Sequence, residues 1–177
     1  MTTTAAAESA LVVPVPEAEL AVGSWRERLD PSCVAGMPAH ITVLFPFAAP
    51  PMIDEALVSE LDALLGDVSA FEFELAGVRW FDDDVVWVEP KPLEPFRRLT
   101  ELVVKRWPEF QPYSGIHTEV VPHLTVAQDC PLPEMQAAAD AIAAALPIPS
   151  RADRIWLMVG EQEPASWEMR AEFPLVT

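Results

Sequence analysis

The sequence predicts an α+β protein: bilobal, two pseudo-symmetric lobes, mostly antiparallel sheets, helices outside and a central cleft. Three observations lead there. Hydrophobic spacing switches between period 2 and period 3.6 in the order strand, helix, strand, helix, strand, and that order then runs again with one strand added. One short motif occurs twice, as Pro38-Ala39-His40-Ile41-Thr42-Val43 and as Pro122-His123-Leu124-Thr125-Val126, each time in the second strand slot of its run. No flexible linker parts the two runs, so residues 9–177 are read as a single domain behind a disordered tail, residues 1–8.

Taken in order, Ala10 to Val15 reads as a buried strand stopped by Pro16. Glu17 to Leu29 has helical spacing, with Ala18, Ala21, Val22, Trp25 and Leu29 on one face. Asp30-Pro31 closes that helix, and Ser32 to Ala39 reads as a loop. His40 to Phe45 is the first motif strand. Asp54 is a natural N-cap for a helix that runs to Leu65. Phe71, Phe73 and Leu75 alternate with Glu72 and Glu74 in a half-buried strand that Gly77 to Trp80 extends, and Asp82-Asp83-Asp84 is a turn. Val85 to Glu89 is a buried strand. Pro95 opens a helix with Phe96, Leu99, Leu102, Val103 and Trp107 on its apolar face, and Pro108 ends it. Glu109 to Pro122 is a loop, and His123 to Ala127 the second motif strand. Pro133 starts a helix stopped by Pro147. Alternation at Ile155, Leu157, Val159 and then at Trp167, Met169, Ala171, Phe173 marks the last two strands.

Composition narrows the function. Of 177 residues 51% are hydrophobic, enough for a packed core. The formal net charge is -17, from 28 acidic and 11 basic residues, which argues against long duplex nucleic acid, since that partner needs a basic footprint. A small phosphate ester or the end of an RNA strand is compatible with it. Met1 to Ala10 carries no Lys or Arg, and the apolar run from Leu11 is broken by Pro14, so neither a signal peptide nor a membrane span is expected. Cys33 and Cys130 stand far apart without metal-ligand spacing and read as reduced thiols of a cytoplasmic protein. A monomer is expected.

The motifs carry the chemistry. In a strand, residues i and i+2 share a face, so His40 joins Thr42, and His123 joins Thr125, while Ile41, Val43, Leu124 and Val126 pack behind. One neutral imidazole can take a proton from an attacking water or hydroxyl, and a second, as imidazolium, can protonate the leaving oxygen. Threonine hydroxyls can donate to the non-bridging oxygens of a phosphate, where transition-state charge builds up. Neither motif holds a carboxylate or third histidine at ligand spacing, so no metal and no cofactor is implied.

These two His-x-Thr motifs, with Phe45 after the first, resemble those of the 2H phosphoesterase superfamily, which includes 2′-5′ RNA ligase-like proteins and 2′,3′-cyclic phosphodiesterases. The resemblance spans Ala10 to about Phe173. It implies a bilobal α+β fold with a motif strand from each lobe lining a cleft, His40 and His123 as an acid–base pair, and Thr42 and Thr125 as phosphate binders. The implied activity is hydrolysis of a 2′,3′-cyclic phosphate or 2′-5′ phosphodiester on a small nucleotide or RNA terminus. A 2′-5′ RNA ligase and a non-catalytic module binding nucleotides or RNA ends are the alternatives. Many bacterial relatives have an arginine where Gln128 stands; an amide brings no positive charge there, which favours a small substrate over polymeric RNA. Tyr113, Gln128 and Arg154 are further candidate substrate contacts, and His117 and Arg151 stand near them in the reading, each with a surface role as the simpler account.

Overall fold

Two four-stranded antiparallel sheets frame the molecule in a computed structural model that describes residues 6–116 and 119–177. Its strands are β1 (Glu8–Pro14), β2 (His40–Leu44), β3 (Phe71–Phe81), β4 (Val85–Lys91), β5 (Leu124–Gln128), β6 (Ile148–Ala152), β7 (Arg154–Gly160) and β8 (Glu168–Pro174). Its helices are α1 (Glu19–Leu29), α2 (Pro31–Val34), α3 (Glu55–Leu65), α4 (Glu94–Arg106) and α5 (Leu132–Ala143). The first sheet has the order β2-β1-β7-β8 and the second β5-β4-β3-β6. This is the α+β architecture of two equivalent lobes that the spacing predicts.

The lobes are not the two halves of the chain. Strand β3 follows the first motif yet pairs with β4 and β6, whereas β7 and β8 follow the second motif yet pair back onto β1. Each sheet borrows strands from the other half. One apolar cluster accordingly draws on both sheets, with Leu11, Val13, Ile41 and Leu157 from the first and Phe73, Val88, Leu124 and Val126 from the second.

Both motif strands are edge strands, and they touch each other where the sheets meet. The helices are exchanged in the same way. Helix α1, which links β1 to β2, packs on β5, and α4, which links β4 to β5, packs on β2. The Thr100 hydroxyl of α4 donates to the Val43 carbonyl at 2.7 Å, covering part of the open edge of β2.

Four local features differ from the sequence reading. Strand β1 starts at Glu8, inside the expected tail, because Glu8 pairs with Gly160; residues 1–5 lie outside the described residues. Residues 31–34 form a short helix rather than loop, since the Asp30 carboxylate accepts from Ser32 N at 2.9 Å and Pro31 suits the first turn. Residues 16–18 form a 3-10 turn ahead of α1, which starts at Glu19 rather than Glu17. Strand β6 has no counterpart in the sequence reading: Pro149 interrupts its pattern, and an edge strand tolerates a proline that a central one would not.

Candidate active site

The strand alternation that the motifs predict is present on both sides. Ile41 and Val43 are buried and His40 and Thr42 half-buried on the opposite face of β2; Leu124 and Val126 are buried and His123 and Thr125 half-buried on the other lobe. His123 immediately precedes β5 and continues its line. The two faces are furnished differently. Val12 lies opposite Thr42, and with Ala10, Met37, Met158 and Trp167 it forms a small apolar cluster of its own, against which Phe45 and Trp156 pack. On the second sheet Trp87 lies opposite Thr125 and stacks on Phe81 at 4.7 Å between ring centroids. The His123 ring meets both edge-on, Phe81 at 5.1 Å and Trp87 at 5.8 Å.

Each imidazole is held by the same bond. His40 Nδ1 lies 2.7 Å from the Pro38 carbonyl, and His123 Nδ1 lies 2.7 Å from the Val121 carbonyl, two residues back in both cases. A carbonyl only accepts, so both Nδ1 atoms carry the hydrogen. In the neutral ring that leaves Nε2 as the basic nitrogen on both sides.

Behind His40 the chain is braced by charge. Arg26 of α1 is 1% exposed and donates from Nε to Asp30 at 3.0 Å and from Nη2 to the Met37 carbonyl at 3.2 Å. The Glu19 carboxylate accepts from Ala39 N at 2.8 Å. The segment 37–39 that delivers His40 is thus tied to α1 at two points. Burial lowers the His40 pKa to about 4; the bond to Pro38 and the Asp30 carboxylate oppose this, while Arg26 and the second histidine add to it. The strands that carry the two motifs, β2 and β5, lie against each other. Burial also lowers the His123 pKa, opposed by the bond to Val121. Among the described residues, the buried side-chain donors without a hydrogen-bond partner are Arg26 Nη1 and Trp87 Nε1, one beside each motif.

The flanking candidates are scattered. Tyr113 donates its backbone N–H to the Phe45 carbonyl at 2.7 Å, with φ at 49° and the next residue, Ser114, at 55°, so two non-glycine residues in the left-handed region dock this loop on the end of β2. Burial raises the Tyr113 pKa. Gln128 is exposed and its amide donates to Asp129 at 3.2 Å. Arg154 stands two residues before Trp156, which shares a row with Thr42 through Val12, but it pairs with Asp153 and Glu172. It borders a cavity of about 430 Å³ lined also by Pro14, Pro38, Arg151 and Trp156. Arg151 pairs with Glu72. His117 lies outside the described residues. Sequence reasoning missed Arg26, a charged residue on the buried face of α1, and the Phe81–Trp87 wall. The i, i+4 spacing of Arg26 and Asp30 was the available signal for the first.

Comparison with known proteins agrees with this frame. The family model described as 2′-5′ RNA ligase superfamily matches residues 14–164. The crystal structure of E. coli LigT complexed with 3′-AMP superposes with a TM-score of 0.62 at 15% identity, covering 96% of this chain and 98% of LigT. LigT complexed with NADP+ gives 0.60 at 17% identity, covering 98% and 100%. TT0787 of Thermus thermophilus gives 0.60 at 19% identity, covering 95% and 97%. At such identities the likeness is one of fold. A search of curated protein sequences finds no significant match.

Proposed function

Starting from a chain that belongs to the 2′-5′ RNA ligase superfamily, we propose that it is a metal-independent phosphoesterase acting on a 2′,3′-cyclic or 2′-5′ linked phosphate of a small nucleotide or RNA end. One observation carries this reading: two imidazoles from separate sheets, each fixed through Nδ1 to the carbonyl two residues back, each with a threonine on the same strand face. That arrangement supports a reading in which two Nε2 atoms and two hydroxyls meet one phosphate. Crystal structures of LigT with 3′-AMP and ATP make a small nucleotide a reasonable ligand class here.

In hydrolysis, His40 is the base and His123 the acid. With its pKa lowered to about 4, His40 is neutral and free to accept a proton through most of the pH range, as a base must be. His40 Nε2 takes a proton from water as its oxygen bonds to phosphorus. One ring P–O bond breaks, and its oxygen receives the proton that His123 carried on Nε2. The Thr42 and Thr125 hydroxyls donate to the non-bridging oxygens, where negative charge accumulates. The reverse reaction uses the same groups with roles exchanged. Tyr113, whose backbone is anchored at the end of β2, is the flanking candidate for stacking on a base.

The test is turnover of 2′,3′-cyclic nucleotides and 2′-5′ dinucleotides with a chelator present. Ring opening to a phosphomonoester, lost in His40→Gln and in His123→Gln, is the expected result. Turnover unchanged in either variant overturns the mechanism. Tight nucleotide binding without turnover identifies a binding module instead.

A further inference from the structure

We propose that Arg79, supported by Lys91, forms a subsite for a second phosphate of the substrate on the motif face of the second sheet. The inference deepens the phosphoesterase reading and rests on it for the position of the reacting phosphate.

Placement comes from register. Thr125 lies opposite Trp87, and Trp87 opposite Arg79, so the three share one row and one face across β5, β4 and β3. The contact of Phe81 with His123 confirms that this face of β3 looks toward the motif. Strand spacing sets the backbone of Arg79 about 10 Å from that of Thr125. The side chain then leans over Gly77: a Cβ at Gly77 would meet Arg79 Nη1 at 3.6 Å and Nη2 at 3.8 Å. Gly77 lies opposite Glu89, and Glu89 follows Val88, the partner of Leu124. The guanidinium therefore reaches the row that His123 continues. The stacked rings of Phe81 and Trp87, which the His123 ring meets edge-on, share this face with Arg79 and offer an apolar ground on which a sugar or base can rest, with Glu89 beside the guanidinium.

Charge makes the choice between the sheets. Arg79 and Lys91 share one carboxylate, Glu89, at 3.1 and 3.7 Å. Arg154, on the motif face of the first sheet, is shared by two carboxylates, Asp153 and Glu172. Glu74 lies across from Lys91 but makes no ion pair with it among the described residues. Arg79 and Lys91 are 52% and 56% exposed, so their pairs with Glu89 are weak and a phosphate can compete for them. On the motif face of the second sheet, two cations thus face one carboxylate within ion-pair reach, in a chain of net charge -17.

The experiment compares a 2′,3′-cyclic mononucleotide, the same compound carrying a 5′-phosphate, and a dinucleotide ending in a 2′,3′-cyclic phosphate. The wild-type protein is expected to show the higher KM for the unadorned compound. Arg79→Gln is expected to raise KM about tenfold for the compounds with a second phosphate, the worth of one charge-assisted hydrogen bond, with kcat held. Lys91→Gln should do the same to a smaller extent, and neither should alter turnover of the unadorned compound. A terminal phosphate carries more charge than a diester, so the larger loss falls on the 5′-phosphorylated arm if a chain end is recognised, and on the dinucleotide arm if the strand is. Equal wild-type KM values across the three, or an Arg79→Gln loss of equal size on all, overturns the subsite. Should none be cleaved, the phosphoesterase reading fails. Binding titrations of the mononucleotide pair then decide the subsite alone: equal wild-type affinities refute it, and a preference abolished by Arg79→Gln upholds it.

Discussion

The two motif regions use one hydrogen-bonding plan in two electrostatic settings. His40 and His123 are each pinned through Nδ1 to the carbonyl two residues back at the same 2.7 Å. Around His40 stands a buried ion pair, Arg26 with Asp30, whose two charges push its pKa in opposite directions. Around His123 stand two aromatic rings, and burial lowers its pKa against the bond to Val121. Identical tethers fix which nitrogen reacts; unlike surroundings allow two copies of one residue to differ in proton affinity. In an acid–base pair, position relative to the attacking and leaving oxygens assigns the roles, and unequal proton affinity favours one of the two singly protonated states.

Removing either imidazole is the hardest blow to this comparison. His40→Gln and His123→Gln are each expected to lower kcat by about 10²- to 10⁴-fold, with the double variant little worse than either alone. The pH dependence of kcat/KM then separates the roles. In the wild type the acid limb should fall near the His40 pKa of about 4 and the alkaline limb below the ordinary 6.5, because burial lowers His123. Residual activity of His40→Gln should lack the acid limb, and that of His123→Gln the alkaline one. The opposite pattern would reverse the assignment. Stability follows the same shift. Between pH 6.5 and about 4 the unfolded chain binds a proton that folded His40 refuses, so stability present above 6.5 is lost as pH falls through that window. Denaturation of His40→Gln should show a flatter dependence there.

Next in size is the brace behind His40. Arg26→Met leaves Asp30 buried without its cation, a loss of about 3–5 kcal/mol in urea denaturation. The Arg26 charge lowers the His40 pKa, so the acid limb should move to higher pH while the alkaline limb stays. An unmoved acid limb in a variant that still folds would separate Arg26 from His40. Thr42→Val and Thr125→Val keep shape and remove one donor each, with an expected kcat loss of about 10²-fold and no change in either limb. A clear inequality between the two would show that the lobes share the phosphate unevenly.

Much of this is legible in the sequence because it depends on short-range pattern. The i, i+2 rule puts His40 with Thr42 and His123 with Thr125 without knowledge of any partner strand. The hidden parts depend on pairing across the chain. Nothing in the alternation of β3 says that it joins the sheet of the second motif, and nothing in β7 says that it returns to β1. Arg26 escapes a sequence reading because a charge on a helix is expected to face solvent, yet it occupies the buried stripe of Val22 and Leu29. Val85 to Glu89 reads as uniformly buried, and only its register shows that Trp87 turns to the motif face while Val86 and Val88 turn to the core.

The smallest effect is the most exacting for the comparison. Trp87 is 6% exposed, stacks on Phe81 and lies opposite Thr125, with its indole N–H buried and unpartnered among the described residues. Trp87→Phe removes packed volume, which costs stability, and also removes an unsatisfied buried donor, which returns about 1–3 kcal/mol. The two should nearly cancel, leaving the urea midpoint within about 1 kcal/mol of wild type. No charge changes, so neither limb of the pH profile should move, in contrast with Arg26→Met, where another buried unpartnered donor disappears together with a charge. A loss above about 3 kcal/mol would mean that the indole N–H has a partner worth keeping. A shifted alkaline limb would mean that the wall does more than exclude water from His123, and the contrast between a charged setting and an apolar one would have to be redrawn.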